Sequence, residues 1–322
     1  MHFLVNQIIE LDYEEIPNYD FPIGYPFGLI TYINGVKYEF LIHFKHNSER
    51  LIIHSSGAIP GDSDCDRTRP YLNRWSWSNH FKESIIFYND PTLYINDEIH
   101  GGYGVGTKDD YYLEKIAKFS SIFAKNQNLQ DKDLLFYGSS AGGFTSFMLA
   151  TMVKDSTAIC DIPQFYLNEL WFTYWETFKK HIFTDMDDKE ILDKFGYRVN
   201  VNKMMLKENY IPKAILVLDC SVDRDFNMQY THFLRDLNKL PFNNSKNSIR
   251  IKVHGKNEGH IPLSGEETMD LIEESKCIFA TEGSHQDVLR ELAELRKFKE
   301  EVLSSNSWKL TQPLRDKSFF KK

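Results

Sequence analysis

The sequence predicts an α/β protein: a mostly parallel central sheet with helices on both faces. Three observations carry that reading. Short runs rich in β-branched and aromatic residues alternate with helical patterns along most of the chain. One of these runs leads straight into a G-x-S-x-G turn and then a helix. Finally, 322 residues at 42% hydrophobic and 26% charged give ample material for a core, which excludes disordered chains and small disulfide scaffolds.

Each element has its own local reason. Alternating apolar positions in 29–33 and 38–44 flank Asn34-Gly35, the strongest short hairpin signal, so a hairpin opens the sheet. Runs at 51–54, 84–88 and 133–137 read as strands, with a helical pattern over 109–125 between the last two. Residues 141–153 are helical, 157–160 and 213–219 strand-like, 226–240 helical, and 249–254 a last strand before a helix near 266–277. Strand and helix in strict alternation mean parallel pairing. Between 163 and 209 the alternation breaks into an aromatic-rich helical stretch with Leu170, Trp171, Tyr174, Trp175 and Phe178, read as an insertion capping the sheet. Past Gly283, Val288, Leu289, Leu292, Leu295, Phe298 and Val302 recur at spacings of three and four, the stripe of an amphipathic helix. The basic end, with Lys309, Arg315, Lys317, Lys321 and Lys322 against Asp316, interleaves Trp308, Leu310, Phe319 and Phe320. The expected organisation is one domain over 1–283 and a C-terminal helix and basic tail over 284–322.

Composition narrows the function classes. With 38 Lys and Arg against 46 Asp and Glu, a net acidic chain is not a general nucleic-acid binder. Cys65, Cys160, Cys220 and Cys277 form no C-x-x-C pair, so neither a metal site nor a disulfide framework is expected, and the thiols read as reduced and mostly buried. No apolar run approaches the roughly 18–20 residues that cross a bilayer. Residues 1–10 lack the features of a signal peptide, and the expected location is the cytoplasm.

Chemistry concentrates at Gly138-Ser139-Ser140-Ala141-Gly142-Gly143. A nucleophile on a sharp strand-to-helix turn needs small neighbours because surrounding backbone presses close, and the turn exposes the hydroxyl of Ser140 at the carboxyl edge of the sheet. A serine hydroxyl is a poor nucleophile near neutral pH, so an acid and a histidine should follow in that order. After the strand at 213–219 comes Cys220-Ser221-Val222-Asp223-Arg224-Asp225. Asp223 is placed as the acid, with Asp225 the alternative and Asp219 too near the strand. After 249–254 comes Gly255-Lys256-Asn257-Glu258-Gly259-His260, a flexible loop that makes His260 the base, whereas His254 ends a strand and reads as structural. Oxyanion donors are expected from the backbone of Ala141 and, in the loop after 51–54, of Ser56, with Ser55 and Gly57 as its neighbours. Gly101-Gly102-Tyr103-Gly104-Val105-Gly106 imitates a phosphate loop but fits neither nucleotide motif and reads as pocket lining beside Ser140. Asp62, Asp64, Asp66, Arg67 and Arg69 form a charged, solvated loop.

The elbow around Ser140, the later Asp223 and the still later His260 together resemble the α/β-hydrolase superfamily over roughly 28–280. Asp90-Pro91-Thr92-Leu93, the turn at 101–106 and the elbow with Gly143-Phe144 look like a bacterial branch that includes capsule O-acetyltransferases and an accessory-secretion protein that acetylates glycans. That resemblance implies a Ser-His-Asp double displacement with an acetyl donor such as acetyl-CoA and no tightly bound cofactor. His54-Ser55 stands where the branch usually has His-Gly. Ser305-Asn306-Ser307-Trp308-Lys309-Leu310-Thr311-Gln312-Pro313-Leu314-Arg315 is similar to an element that ends many bacterial glycosyltransferases and polysaccharide-assembly proteins.

The expected function is acyl transfer, acetyl in the first instance, to a hydroxyl of a bacterial surface or capsular polysaccharide through an acyl-Ser140 intermediate. A carboxylesterase or deacetylase, and a non-catalytic scaffold in a polysaccharide-synthesis complex, are the competing readings. Expected partners of the C-terminal helix are a glycosyltransferase or assembly protein, a second copy of the chain, or the inner face of the membrane through Trp308 and the basic end.

Overall fold

A computed structural model of the chain describes residues 5, 7–60, 65–170, 172–242, 249–254, 259–278 and 297. The chain divides into two units, Met1–Thr268 and Met269–Lys322. Of the second unit the described residues are 269–278, which continue a helix begun in the first, and Lys297. The expected amphipathic stripe from Val288 to Val302 and the basic end therefore lie outside the described residues, apart from Lys297. Among the described residues no helix is long and apolar enough to cross a membrane.

The first unit is built on a nine-stranded sheet, β1 (Ile8–Glu10), β2 (Phe27–Ile33), β3 (Val36–His43), β4 (Leu51–Ser55), β5 (Ser84–Tyr88), β6 (Leu134–Ser139), β7 (Thr157–Asp161), β8 (Lys213–Asp219) and β9 (Ile249–His254). Their order across the sheet is β1-β2-β3-β5-β4-β6-β7-β8-β9. From β5 to β9 all pairs are parallel, as the alternation predicts. The hairpin β2–β3 is antiparallel and closes on Ile33 opposite Val36. Its two turn residues both take positive φ, 51° at Asn34 and 77° at Gly35, which is why Asn-Gly stands there.

Strands β4 to β7 are buried along their whole length, the signature of a sheet covered on both faces. Alternate residues serve opposite sides. Ile53, Ile86, Phe136, Ala158 and Leu216 join the main core, while their neighbours Ile52, Ile85, Leu135, Ile159 and Ile215 are buried on the other face.

Helix α1 (Tyr112–Asn126) places Phe119 and Phe123 one turn apart. They stack on each other and meet Phe40 of β3 edge-on. Helix α2 (Ala141–Met152) is buried on almost every side. The aromatic stretch 163–209 holds α3 (Phe172–His181), α4 (Asp188–Lys194), α5 (Gly196–Val199) and α6 (Val201–Glu208), with one isolated bridge between Tyr166 and Asn200. Of these, α6 packs on α2, burying Val201, Met204 and Met205, and so serves as the crossover from β7 to β8. Where 226–240 was expected to be one helix, a single turn α7 (Asp223–Asp225) passes through a π-type turn (Phe226–Tyr230) into α8 (Thr231–Leu237). Helix α9 (Gly265–Ile278) starts behind Ser264 and Glu267, each side chain capping the other's backbone amide.

The chain leaves β4 toward β5 on one side and returns to β6 on the other. The carboxyl ends of β4 and β6 therefore flank a topological switch point, where open α/β sheets form their ligand crevice.

Candidate active site

Ser140 sits between β6 and α2 with φ 56° and ψ −118°, a strained setting for a residue with a side chain. Its surroundings leave no choice of neighbours. A Cβ on Gly138 would lie 2.5 Å from the backbone of Gly142, and one on Gly142 would lie 2.2 Å from the carbonyl oxygen of Ser55. Small residues are thus needed because the elbow packs backbone against backbone. The strained peptide is pinned by the Ser140 amide, which donates to the Asp161 carbonyl at 2.9 Å.

His260 lies in the loop between β9 and α9, one residue after Gly259, whose φ is 90°. Its Nε2 is 2.9 Å from Ser140 Oγ and its Nδ1 is 2.5 Å from Asp225 Oδ2. The carboxylate places the proton on Nδ1 and leaves Nε2 to accept from the serine hydroxyl. The loop is held from both sides at Leu263, whose amide donates to Asp161 Oδ2 at 2.8 Å and whose carbonyl accepts from Arg74 at 3.3 Å. Arg74 in turn donates to Tyr137 Oη at 2.5 Å and stacks on Trp77.

Thus Ser140 and His260 come together, but Asp223 does not join them. Its carboxylate accepts from Asn227 Nδ2 at 2.9 Å and faces solvent. The reason is rotational: residues 223–225 form a helical turn, and two steps of about 100° put Asp225 on nearly the opposite face from Asp223. The acid facing His260 is Asp225, with 13% of its side chain exposed against 33% for the histidine. Asp219 is buried and accepts from the amide and hydroxyl of Ser221. His254 pairs in register with Asp219 at the end of β9.

Ser56, Gly57 and Ala141 line one cavity of about 10 Å³ together with Tyr88, Asp90, Leu93, Gly102, Tyr103 and Thr145. The two expected oxyanion positions therefore border the same space. The Ser56 hydroxyl itself is structural, donating to the Tyr71 carbonyl and accepting from the Asn73 amide. The glycine turn at 101–106 lies against this cavity, and two of its glycine amides are already used: Gly104 donates to Asp90 Oδ2 at 2.7 Å and Gly106 to Thr92 Oγ1 at 3.1 Å. Burial raises the Asp90 carboxyl pKa despite the amides of Gly104 and Thr92 that favour its anion. His54, at the end of β4, is fully buried between Phe87 and Tyr137. Burial first and Arg74 second push its pKa down to about 3. In the charged loop, Asp62 and Asp64 lie outside the described residues, Asp66 pairs with Arg69, and Arg67 ties to the carbonyls of Ile99 and Asp97.

One residue at the site carries no sequence motif. Gln164, in the loop after β7, donates from Nε2 to Ser140 Oγ at 3.1 Å, and its Oε1 lies 3.4 Å from both Ser140 Oγ and Tyr103 Oη, from either of which it can accept. Its one sequence signal is its place just beyond a strand's carboxyl end, where loops carry function.

No protein-family profile and no curated protein matches the sequence. Solved structures do. The capsule O-acetyltransferase of Neisseria meningitidis serogroup A superposes with a TM-score of 0.54 at 19% identity, covering 78% of this chain and 93% of that one. A mutant of the same enzyme in complex with CoA gives 0.53 at 17% identity, covering 78% and 94%. Esterase 2 of Thermogutta terrifontis, phosphonylated by sarin, gives 0.50 at 10% identity, covering 77% and 92%. With the strand order, the elbow and these likenesses together, the chain has the α/β-hydrolase fold.

Proposed function

We propose that the chain is a serine acyltransferase that moves an acetyl group from a thioester donor such as acetyl-CoA to a hydroxyl of a bacterial surface or capsular polysaccharide. The observation that carries this is the unbroken hydrogen-bonded series Ser140, His260, Asp225 at the switch point of the sheet. In the first half-reaction Ser140 Oγ attacks the acyl carbon and its proton passes to His260 Nε2. The tetrahedral intermediate collapses, the carbon–sulfur bond breaks, and the thiolate leaves with the proton from His260. In the second half-reaction a sugar hydroxyl attacks acetyl-Ser140, gives its proton to His260, and the serine oxygen recovers that proton as it departs. Asp225 keeps the imidazole in the required tautomer and favours its cation in both halves. The amides of Ala141 and Ser56, at the start of α2 and the end of β4, are assigned to the oxyanion.

The fold shared with a capsule O-acetyltransferase supports transfer, and the CoA complex of that enzyme supports the donor. Hydrolysis is the second reading, favoured by one observation: a third of the His260 side chain is open to solvent, so water has access to the base. A scaffold has no use for a strained serine in contact with a histidine. Residues 284–322 are assigned to a polysaccharide-assembly partner, a second copy of the chain or the inner membrane face, an assignment that goes with a cytoplasmic enzyme.

The test is incubation of purified protein with acetyl-CoA and candidate polysaccharides, following thiol release and acetyl incorporation together. Thiol release matched by incorporation supports transfer, release alone supports hydrolysis, and neither refutes both. Ser140→Ala should remain folded and lose the reaction by several orders of magnitude, leaving about 10³–10⁴ over water from binding and the oxyanion site.

A further inference from the structure

The contact between Gln164 and Ser140 rests on backbone that is fixed at unusual expense. Ile162, two residues earlier, has φ 39°, in the left-handed region that β-branched residues avoid. Its amide donates to the Val217 carbonyl at 2.8 Å. Pro163 fills the space where Gly143 lacks a side chain, since a Cβ there would lie 2.9 Å from the proline Cβ. On the other side, the amides of Phe165 and Tyr166 both donate to Oε1 of the buried Gln229, at 2.7 and 2.9 Å. Residues 162–163 and 165–166 are thus clamped, and the one side chain between them is aimed at the serine oxygen. Strain held in place by surrounding structure at a reacting atom points to a role in the reaction.

We propose that Gln164 is a further catalytic residue, its carboxamide N–H holding the oxygen that attacks in each half-reaction. This rests on the acyl-serine reading above. A serine oxygen carries one proton and two lone pairs. The proton is directed to His260 Nε2 and one lone pair is taken by Gln164 Nε2, so the remaining lone pair is the one that bonds to the acyl carbon. Both ends of the amide lie near the serine, Nε2 at 3.1 Å and Oε1 at 3.4 Å; the serine proton goes to the nearer acceptor, His260 Nε2 at 2.9 Å, and Oε1 accepts from Tyr103 Oη. Once Ser140 is acylated its oxygen becomes an ester oxygen, a weak acceptor, and the Gln164 N–H is released. The acceptor hydroxyl must approach where His260 Nε2 can take its proton, within reach of the same N–H. Its oxygen then attacks, the bond from the acyl carbon to Ser140 Oγ breaks, and Oγ regains both its proton and its bond from Gln164. One donor therefore orients both nucleophiles.

The test uses the full chain, p-nitrophenyl acetate as donor and rapid-quench intact mass to follow acetyl-enzyme. Two variants are compared with wild type: Gln164→Met, which keeps the volume and removes the donor, and Gln164→Ala. Expected is a loss of roughly tenfold in both the formation and the decay of acetyl-enzyme, from the lost alignment of the attacking oxygen, with the final fraction of enzyme acetylated unchanged. Unchanged rate constants, or a loss confined to the fraction of competent enzyme, would overturn the proposal and leave Gln164 a structural residue. Wild type that forms no acetyl-enzyme would instead refute the acyl-serine reading itself, and this inference with it.

Discussion

Replacing Asp225 with alanine removes the carboxylate 2.5 Å from His260 Nδ1 and leaves the histidine otherwise in place. Two unit charges about 4 Å apart near a protein surface attract by roughly 4 kcal/mol. That is the stabilisation lost when the imidazolium forms in the transition state without its partner, and it corresponds to roughly a 10³-fold fall in rate. Asp225→Asn should be at least as damaging, because the amide can donate to Nδ1 and hold the ring in the tautomer whose Nε2 carries the proton. Asp223→Ala, two residues away, removes an exposed carboxylate bonded only to Asn227 among the contacts described, and should stay within about twofold, the ordinary range of a surface change. The assay is kcat/KM for p-nitrophenyl acetate on the three variants, with thermal melts to show that each is folded. A crippled Asp223→Ala beside a nearly normal Asp225→Ala would refute the rotational argument that separates the two acids.

Two further predictions concern the scaffold. Gly142→Ala sets a methyl 2.2 Å from the Ser55 carbonyl oxygen, which is backbone and cannot swing aside, so a large loss of stability is expected in urea melts. Gly35→Ala has open space but a φ of 77° and should cost only about 1 kcal/mol; equal effects would refute the packing argument. His54 supplies a pH dependence of stability. Its pKa in the fold is about 3 against roughly 6.5 in an unfolded chain, so above the higher value it contributes nothing. As pH falls from that value toward the lower one only the unfolded chain takes up the proton, and stability drops by up to about 1.4 kcal/mol per pH unit. His54→Phe should flatten that slope in denaturant melts across the window, and an unaltered slope would show that other groups set it.

The sheet was legible in the sequence where burial is complete. β5 and β8 begin and end where their apolar runs do, because a strand covered on both faces must be apolar throughout; β9, an edge strand with Ile251 and Val253 exposed, was legible instead by its alternation of apolar and polar residues. β1 was not legible: three residues with only Ile9 buried are too few to show a period. Nor was the break between α7 and α8, since a π-type turn keeps the composition of a helix and changes only its winding. Strand order was also hidden, because parallel neighbours share one composition and nothing in 51–54 says that β4 lies between β5 and β6.

At the site, what could be read was what backbone geometry forces on residue type. Gly138 and Gly142 are required by contacts of 2.5 and 2.2 Å to other backbone atoms, and that requirement is written locally as G-x-S-x-G. Asp225 and Gln164 are placed differently. Whether position 223 or 225 faces His260 depends on the phase of one helical turn, and a loop and a turn look alike in a segment so short. Gln164 is aimed by Ile162, Pro163 and the distant Gln229, a convergence no window of sequence contains. The same contact that made the elbow legible also ties the site together. Because the Gly142 backbone rests on the Ser55 carbonyl, the start of α2 and the end of β4 are held at a fixed separation. Ala141 and Ser56 are then neighbours of one cavity by construction, so a residue larger than glycine at 142 would displace the assigned oxyanion positions before it touched the hydroxyl of Ser140.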